Sequence, residues 1–232
     1  MESNTQRFSL TSNQLKLFAL VIMTVDHVGI ILLPQYRILR IIGRLAFPIF
    51  AYMIAEGCRH TSDRSRYFFT VLGVGIGYQI AYSAVFRSLY MCILITFSMS
   101  ILLIFCIRWA RERGGWRWII CAGAFFAVYL VCEVLPISLR AFGFRVDYRI
   151  TGVLLPVLIY LAGSRWEKLG AAALGLVLVS MQSGGVQWFS LAALPLLALY
   201  GGQRGKTKLK YLFYIYYPLH LMVLWAVRLL FR

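Results

Sequence analysis

Long apolar stretches, broken by short clusters of arginine, lysine, glycine and proline, set the pattern of this chain. A helix needs about 20 mostly apolar residues to cross a bilayer, with a working range of about 17–25. Stretches of that kind fall at 15–34, 39–58, 67–86, 90–109, 116–135 and 209–230, with shorter ones at 150–163, 169–183 and 186–201. The expected fold is all-α: a polytopic integral membrane helical bundle of about nine transmembrane helices, within about 8–10 because three stretches are short. No change of composition separates two parts, so 1–232 is read as a single integral membrane domain opened by a short cytoplasmic segment, 1–14. The first apolar stretch follows Glu2 and Arg7, contains ionisable residues and ends without a small-residue cleavage site. It is expected to remain as a spanning helix and not to be removed as a signal.

Composition supports this picture. The chain is 61% hydrophobic and 14% charged, against about 45–50% and about 25% in soluble domains. A net charge of +16 would suggest nucleic acid in a soluble protein, but no base-reading module accompanies it, and nucleic-acid binding is excluded on that ground. The basic residues lie mostly between apolar stretches, where cytoplasmic loops and lipid phosphates attract them. With nine spans and the N-terminus inside, fifteen of the 24 Lys and Arg residues fall on the inner side and nine on the outer. That asymmetry favours a cytoplasmic N-terminus. The five cysteines form no CxxC and have no metal-ligand spacing, so they read as small buried apolar residues and no metal is expected. Gly73 and Gly77, four apart in the third stretch, read as a close helix-packing face, as does Ala171-Ala172-Ala173-Leu174-Gly175.

Ionisable residues inside such stretches are costly and mark candidate function. Asp26 and His27 sit within the first one, and histidine is the side chain most readily tuned to move protons near neutral pH. Lys16 lies eleven residues upstream. At about 100° per residue it returns to within about 20° of His27, roughly 16 Å away along the axis. Neighbours on a helix point about 100° apart, so Asp26 cannot orient His27 and is expected to pair with an arginine of a neighbouring helix. Arg37, Arg40 and Arg44, spaced three then four, form a basic stripe that suits phosphate or carboxylate, or else lipid headgroups. Glu56 precedes Arg59 and His60; pairing with an arginine of this region or with His60 is the expected role. Glu133 is read as structural. Near the end, Pro218 frees a backbone carbonyl one turn earlier, and His220 can point into the cavity that holds His27.

The runs Leu15-Lys16-Leu17, Val25-Asp26-His27-Val28-Gly29, Leu39-Arg40-Ile41-Ile42-Gly43-Arg44-Leu45-Ala46-Phe47-Pro48, Ile54-Ala55-Glu56-Gly57 and Arg59-His60-Thr61 resemble the TraX family. Asp147-Tyr148 with Gly152, and Phe213-Tyr214 with Tyr217-Pro218-Leu219-His220-Leu221, are similar to its later motifs. The likeness covers most of the chain and is most specific in the N-terminal third. One departure stands out: Cys92 lies where an asparagine is expected before Leu94-Ile95-Thr96-Phe97. More distantly, Lys16 and His27 resemble the basic residue and catalytic histidine of the membrane acyltransferase-3 group, with lysine for the usual arginine.

The resemblance implies a membrane acetyltransferase of the bacterial cytoplasmic membrane that takes acetyl from acetyl-CoA. Its acceptor would be an amine or hydroxyl: a protein N-terminus such as that of pilin, or a surface glycan or lipid. In that reading His27, with Asp26, carries catalysis, and Lys16, Arg40 and Arg44 hold the phosphate-rich donor. Arg44 or Tyr217 is the candidate donor to the oxyanion; Glu56, His60, Asp147, Tyr148 and His220 are further candidates. Direct transfer and an acetyl-histidine route both remain open. Two other classes compete: a proton-coupled transporter, which intramembrane acids and histidines also build, and a non-enzymatic membrane assembly factor. The first is disfavoured because the two halves show no repeat.

Overall fold

The computed structural model describes residues 9–205 and 210–230. Glu2, Arg7, Lys206, Lys208 and Arg232 lie outside the described residues, as do the side chains of Lys210, Phe213 and Tyr214. Among those described, helix dominates. Five helical stretches are long and apolar enough to cross a membrane: Ser12–Ile31, Arg37–His60, Arg64–Phe86, Ile93–Arg113 and Arg117–Ser138. Shorter apolar helices run over Arg149–Leu161, Gly185–Ala198 and Ile215–Leu230. The chain is thus all-α and has the helices of a membrane protein. It resolves into two compact units, Met1–Met53 with Phe189–Arg232, and Ile54–Trp188.

The first unit is built on α1 (Ser12–Ile31), which a capping box opens. Thr11 Oγ1 accepts from Gln14 N at 3.3 Å, and Gln14 Oε1 accepts from Thr11 N at 2.9 Å, satisfying backbone donors that the first turn leaves open. Helix α2 (Arg37–Gly43) follows the Pro34 turn, and α3 starts at Ala46 and runs to His60. The apolar stretch 39–58 is expected as one straight span, but the helix breaks at Arg44-Leu45. Pro48 explains the break: it has no N–H for the carbonyl of residue 44, and its ring collides with that carbonyl. The two residues turn instead through Arg44 N to Ile41 O and Leu45 N to Ile42 O. Helix α11 (Lys210–Leu230) and α2 both pack on α1. Leu20, Ile22, Met23 and Ala46 are buried between them, with Leu45, Phe50, Tyr216 and Tyr217 packed alongside. A bridge between Leu10 and Tyr200, and a bond from Ser12 N to Gln203 O at 2.8 Å, tie the start of α1 to the chain ahead of α11.

In the second unit α4 (Arg64–Phe86), α6 (Arg117–Tyr129) and α8 (Arg149–Leu161) pack around α5 (Ile93–Arg113), and α9 (Arg165–Ser183) lies on α8. Side-chain hydroxyls fasten α5 to α8 and the turn before it: Ser100 Oγ donates to Val153 O and Thr96 Oγ1 to Asp147 O, each at 2.8 Å. Such bonds are a main source of helix association in lipid. The packing glycine of α4 is Gly75, where an added Cβ would press on Leu94 and Ile95; Gly73 and Gly77 face open space. The four-residue spacing therefore marks the wrong face. Gly175 lies against Leu155, as the small-residue stretch predicts. The stretch expected as one span over 116–135 runs through α6 into a π-helical turn, Leu130–Val134, then α7 (Leu135–Ser138). Pro136 again accounts for it, since the carbonyl of Cys132 loses its regular partner there. Two short strands, β1 (Tyr90–Met91) and β2 (Arg145–Val146), pair in parallel at one end of this unit.

Candidate functional site

Asp26, on α1, is buried at 8% exposure and faces α2. Arg40 Nη1 donates to its Oδ2 at 2.7 Å, and Arg44 Nη2 donates to Oδ1 at 2.9 Å and Oδ2 at 3.2 Å. The sequence expectation that Asp26 pairs with an arginine of the next helix holds, with two arginines in place of one. Gly43 makes the approach possible, because a Cβ there would overlap the Asp26 carboxylate. Gly43→Ala is accordingly expected to destabilise the protein by about 1–3 kcal/mol, the usual cost of overpacking. Thermal unfolding in detergent checks this; an unchanged midpoint would show that the carboxylate can move aside. Within this trio one carboxylate stands between two guanidiniums, so positive charge exceeds negative by one. Arg40 is the more accessible of the pair, its side chain 31% exposed against 12% for Arg44. Arg37 lies at the exposed start of α2.

His27 points another way, toward α11. Its Nδ1 lies 3.1 Å from Nε2 of His220, and Nδ1 of His220 lies 2.8 Å from the carbonyl oxygen of Tyr216. A carbonyl can only accept, so His220 carries its proton on Nδ1 and presents a lone pair at Nε2. With both rings neutral, His27 Nδ1–H donates to His220, which leaves the lone pair of His27 on Nε2. The order Tyr216 carbonyl, His220, His27 fixes both tautomers and aims one basic nitrogen away from the pair. A base oriented by a second group that is itself held is the arrangement used by catalytic triads.

Aromatic rings frame the pair. Tyr216 stacks on His220 at 5.2 Å between centroids, 7° from parallel, and Tyr217 approaches it at 63° and 5.9 Å. Thr24, one turn before His27, bonds the Tyr216 hydroxyl at 2.7 Å. Neither Thr24 nor Tyr216 is marked by spacing or charge, and only the helix pairing identifies them. The sequence reading of His220 holds in its destination, while the carbonyl it uses is Tyr216's, one ordinary helical turn back. Lys16 is half-buried on α1, about 16 Å along the axis from His27 and beyond side-chain reach of it.

The remaining candidates belong to the second unit. Glu56 is buried and pairs with Lys168 Nζ at 2.7 Å, Arg59 Nε at 3.6 Å and His60 Nε2 at 3.5 Å. Arg59 also donates to the carbonyls of Ile159, Tyr160 and Ala162, so this cluster clasps the end of α8. His60 is exposed. Lys168, 112 residues along from Glu56, is the member that sequence reasoning misses. Asp147 accepts from the Tyr90 hydroxyl at 2.7 Å. Burial and that carboxylate push the Tyr90 phenol above its ordinary range, so it stays a donor. Tyr148 caps α8 in the left-handed conformation, φ 56°. Glu133, read as structural, pairs with Arg149.

The family model described as TraX protein matches residues 11–228, nearly all of this chain. The chain belongs to the TraX family. It is 50% identical over 38 residues to an uncharacterized protein of Rickettsia prowazekii (strain Madrid E), a match covering 16% of this chain and 15% of that one. It is 29% identical over 83 residues to the probable fimbrial assembly protein FimC, serogroup H1, of Dichelobacter nodosus, covering 34% of each. The matches thus span about a sixth and a third of these relatives' lengths. No solved structure matches the chain. The family match spans both the Asp26–Arg40–Arg44 cluster and the paired histidines.

Proposed function

We propose that this protein is a polytopic acetyltransferase of the bacterial cytoplasmic membrane, its N-terminus inside and about nine helices crossing the bilayer. It takes acetyl from acetyl-CoA and passes it to an amine or hydroxyl acceptor. The observation that carries the reading is the paired imidazoles, His27 and His220, at 3.1 Å. His27 Nε2 removes the proton of the acceptor N–H or O–H as that atom attacks the thioester carbonyl. The tetrahedral adduct collapses, the carbon–sulfur bond breaks, and the proton on His27 passes to the departing thiolate. His220 accepts from His27 Nδ1–H throughout and so steadies the imidazolium. Tyr217, beside His220, is better placed than Arg44, which Asp26 holds, to donate to the oxyanion. In the covalent variant His27 Nε2 itself attacks the thioester carbonyl, the carbon–sulfur bond breaks to release the thiolate, and the acceptor then attacks the acetyl-imidazole and frees His27.

The arginine cluster fits an anionic donor, since it carries net positive charge and exposes part of Arg40. Purified protein in detergent is expected to bind acetyl-CoA and hydrolyse it slowly. Arg40→Ala is expected to raise the KM for acetyl-CoA about tenfold, the scale of one charge-assisted hydrogen bond. An unchanged KM returns Arg40 to a purely structural pairing with Asp26. A second reading, a non-catalytic factor in pilus or fimbrial assembly, draws on the name of the Dichelobacter relative. It predicts no acetyl-CoA binding at all, so the same measurement separates the two.

A further inference from the structure

A cavity of about 360 Å³ opens at the end of the second unit that carries β1 and β2, lined by Pro136, Arg140, Gly143, Phe144, Arg145 and Arg149. Three of the six lining residues are arginines. The local backbone aims them there. From Phe144 into β2 the side chains alternate: Phe144 and Val146 are buried and Arg145 is exposed between them, in keeping with the two-residue period of extended chain. Pairing of Tyr90 with Arg145 and Met91 with Val146 fixes that register. Gly143 turns the chain at φ 66°, the left-handed region, and places Arg140 on the near side of the turn.

Arg149 is held more firmly. Its guanidinium pairs with Glu133, which also accepts from Ile150 N at 3.2 Å and Gln182 Nε2 at 3.3 Å. Tyr148 and Arg149 are both left-handed, φ 56° and 49°. Residues with a Cβ avoid that conformation unless their surroundings enforce it. Here Glu133 in the π-turn, Asp147 bonded to Tyr90 and the start of α8 enforce it together. Glu133 compensates only Arg149. Among the described residues Arg140 and Arg145 make no ion pair with a carboxylate, so the cavity carries two positive charges in excess.

We infer that this cavity is a binding site for a phosphate-bearing ligand, gripped by Arg140 and Arg145 with Arg149 at its back. Guanidinium forks suit phosphate oxygens, and a fixed concave frame lets several act on one ligand. The apolar wall of Pro136 and Phe144 offers contact to whatever the phosphate carries. The inference does not depend on acetyl transfer. Two sources share the chemistry, a lipid headgroup and a soluble phosphate compound.

The test uses the full-length protein with Arg140→Gln and Arg145→Gln combined, two exposed positions, and each alone in case the double variant folds poorly. Affinity for inorganic pyrophosphate is measured by calorimetry in detergent. Retention of phosphatidylglycerol over phosphatidylcholine is measured by native mass spectrometry from mixed nanodiscs. Arg87→Gln serves as the control, an exposed arginine at the same end that does not line the cavity. The double variant is expected to lose at least tenfold in one of the two measurements, each single variant severalfold, and the control nothing. Loss in the first identifies a soluble ligand; loss in the second identifies a lipid. Equal binding by wild type and double variant in both, or an equal loss in Arg87→Gln, overturns the site.

Discussion

Replacing His27 by alanine is expected to lower acetyl transfer by roughly 10²–10⁴-fold, the range a positioned general base supplies. The protein should still express, and its thermal midpoint should stay within a few degrees of wild type, because His27 is half-buried and its side-chain hydrogen-bond partner is another imidazole. His220→Ala is expected to lower kcat less, with KM for acetyl-CoA unchanged. It should also displace the acid limb of the pH–rate profile, since His220 acts on the proton of His27 and not on the donor. A role in packing alone would move neither the pH profile nor the ratio of kcat to KM. Transfer of radiolabel from acetyl-CoA to acceptor checks both variants, and full turnover in His27→Ala would remove this imidazole from the mechanism.

Asp26→Ala is expected to be the most destabilising single change in the first unit. It leaves two guanidiniums facing each other in a largely buried site, and breaking such a cluster typically costs about 3–5 kcal/mol. For a chain of this size that corresponds to a fall in Tm on the order of 10 °C. Asp26→Asn keeps the shape and removes the charge, so it should lose most of the same stability. A small effect of both variants would mean that water or lipid phosphate already satisfies Arg40 and Arg44.

What could be read from the chain divides along physical lines. Charge complementarity is legible: a buried carboxylate demands a cation, and Asp26 with Arg40 and Arg44 follows from that demand, as does Glu133 as a structural group. The length of apolar runs is legible too, and most of the stretches lie within a few residues of the observed helices. Neutral contacts between distant segments leave no such trace. Thr24 with Tyr216, and Tyr90 with Asp147, are ordinary polar residues until the helices meet. The breaks at Arg44-Leu45 and in the Leu130–Val134 turn were in principle readable, since each lies just upstream of a proline, Pro48 and Pro136. Hydropathy averages smooth over such points. The glycines show the limit of spacing as a guide, for Gly75 and not the Gly73–Gly77 pair meets a neighbouring helix.

The two imidazoles are contributed by segments 193 residues apart, so the pair can form only once both segments have been made. A nascent chain in which α11 has not yet been made holds only one ring of the pair. The proposed chemistry would therefore require α11 to dock on α1, and a nonsense codon between them is expected to abolish it.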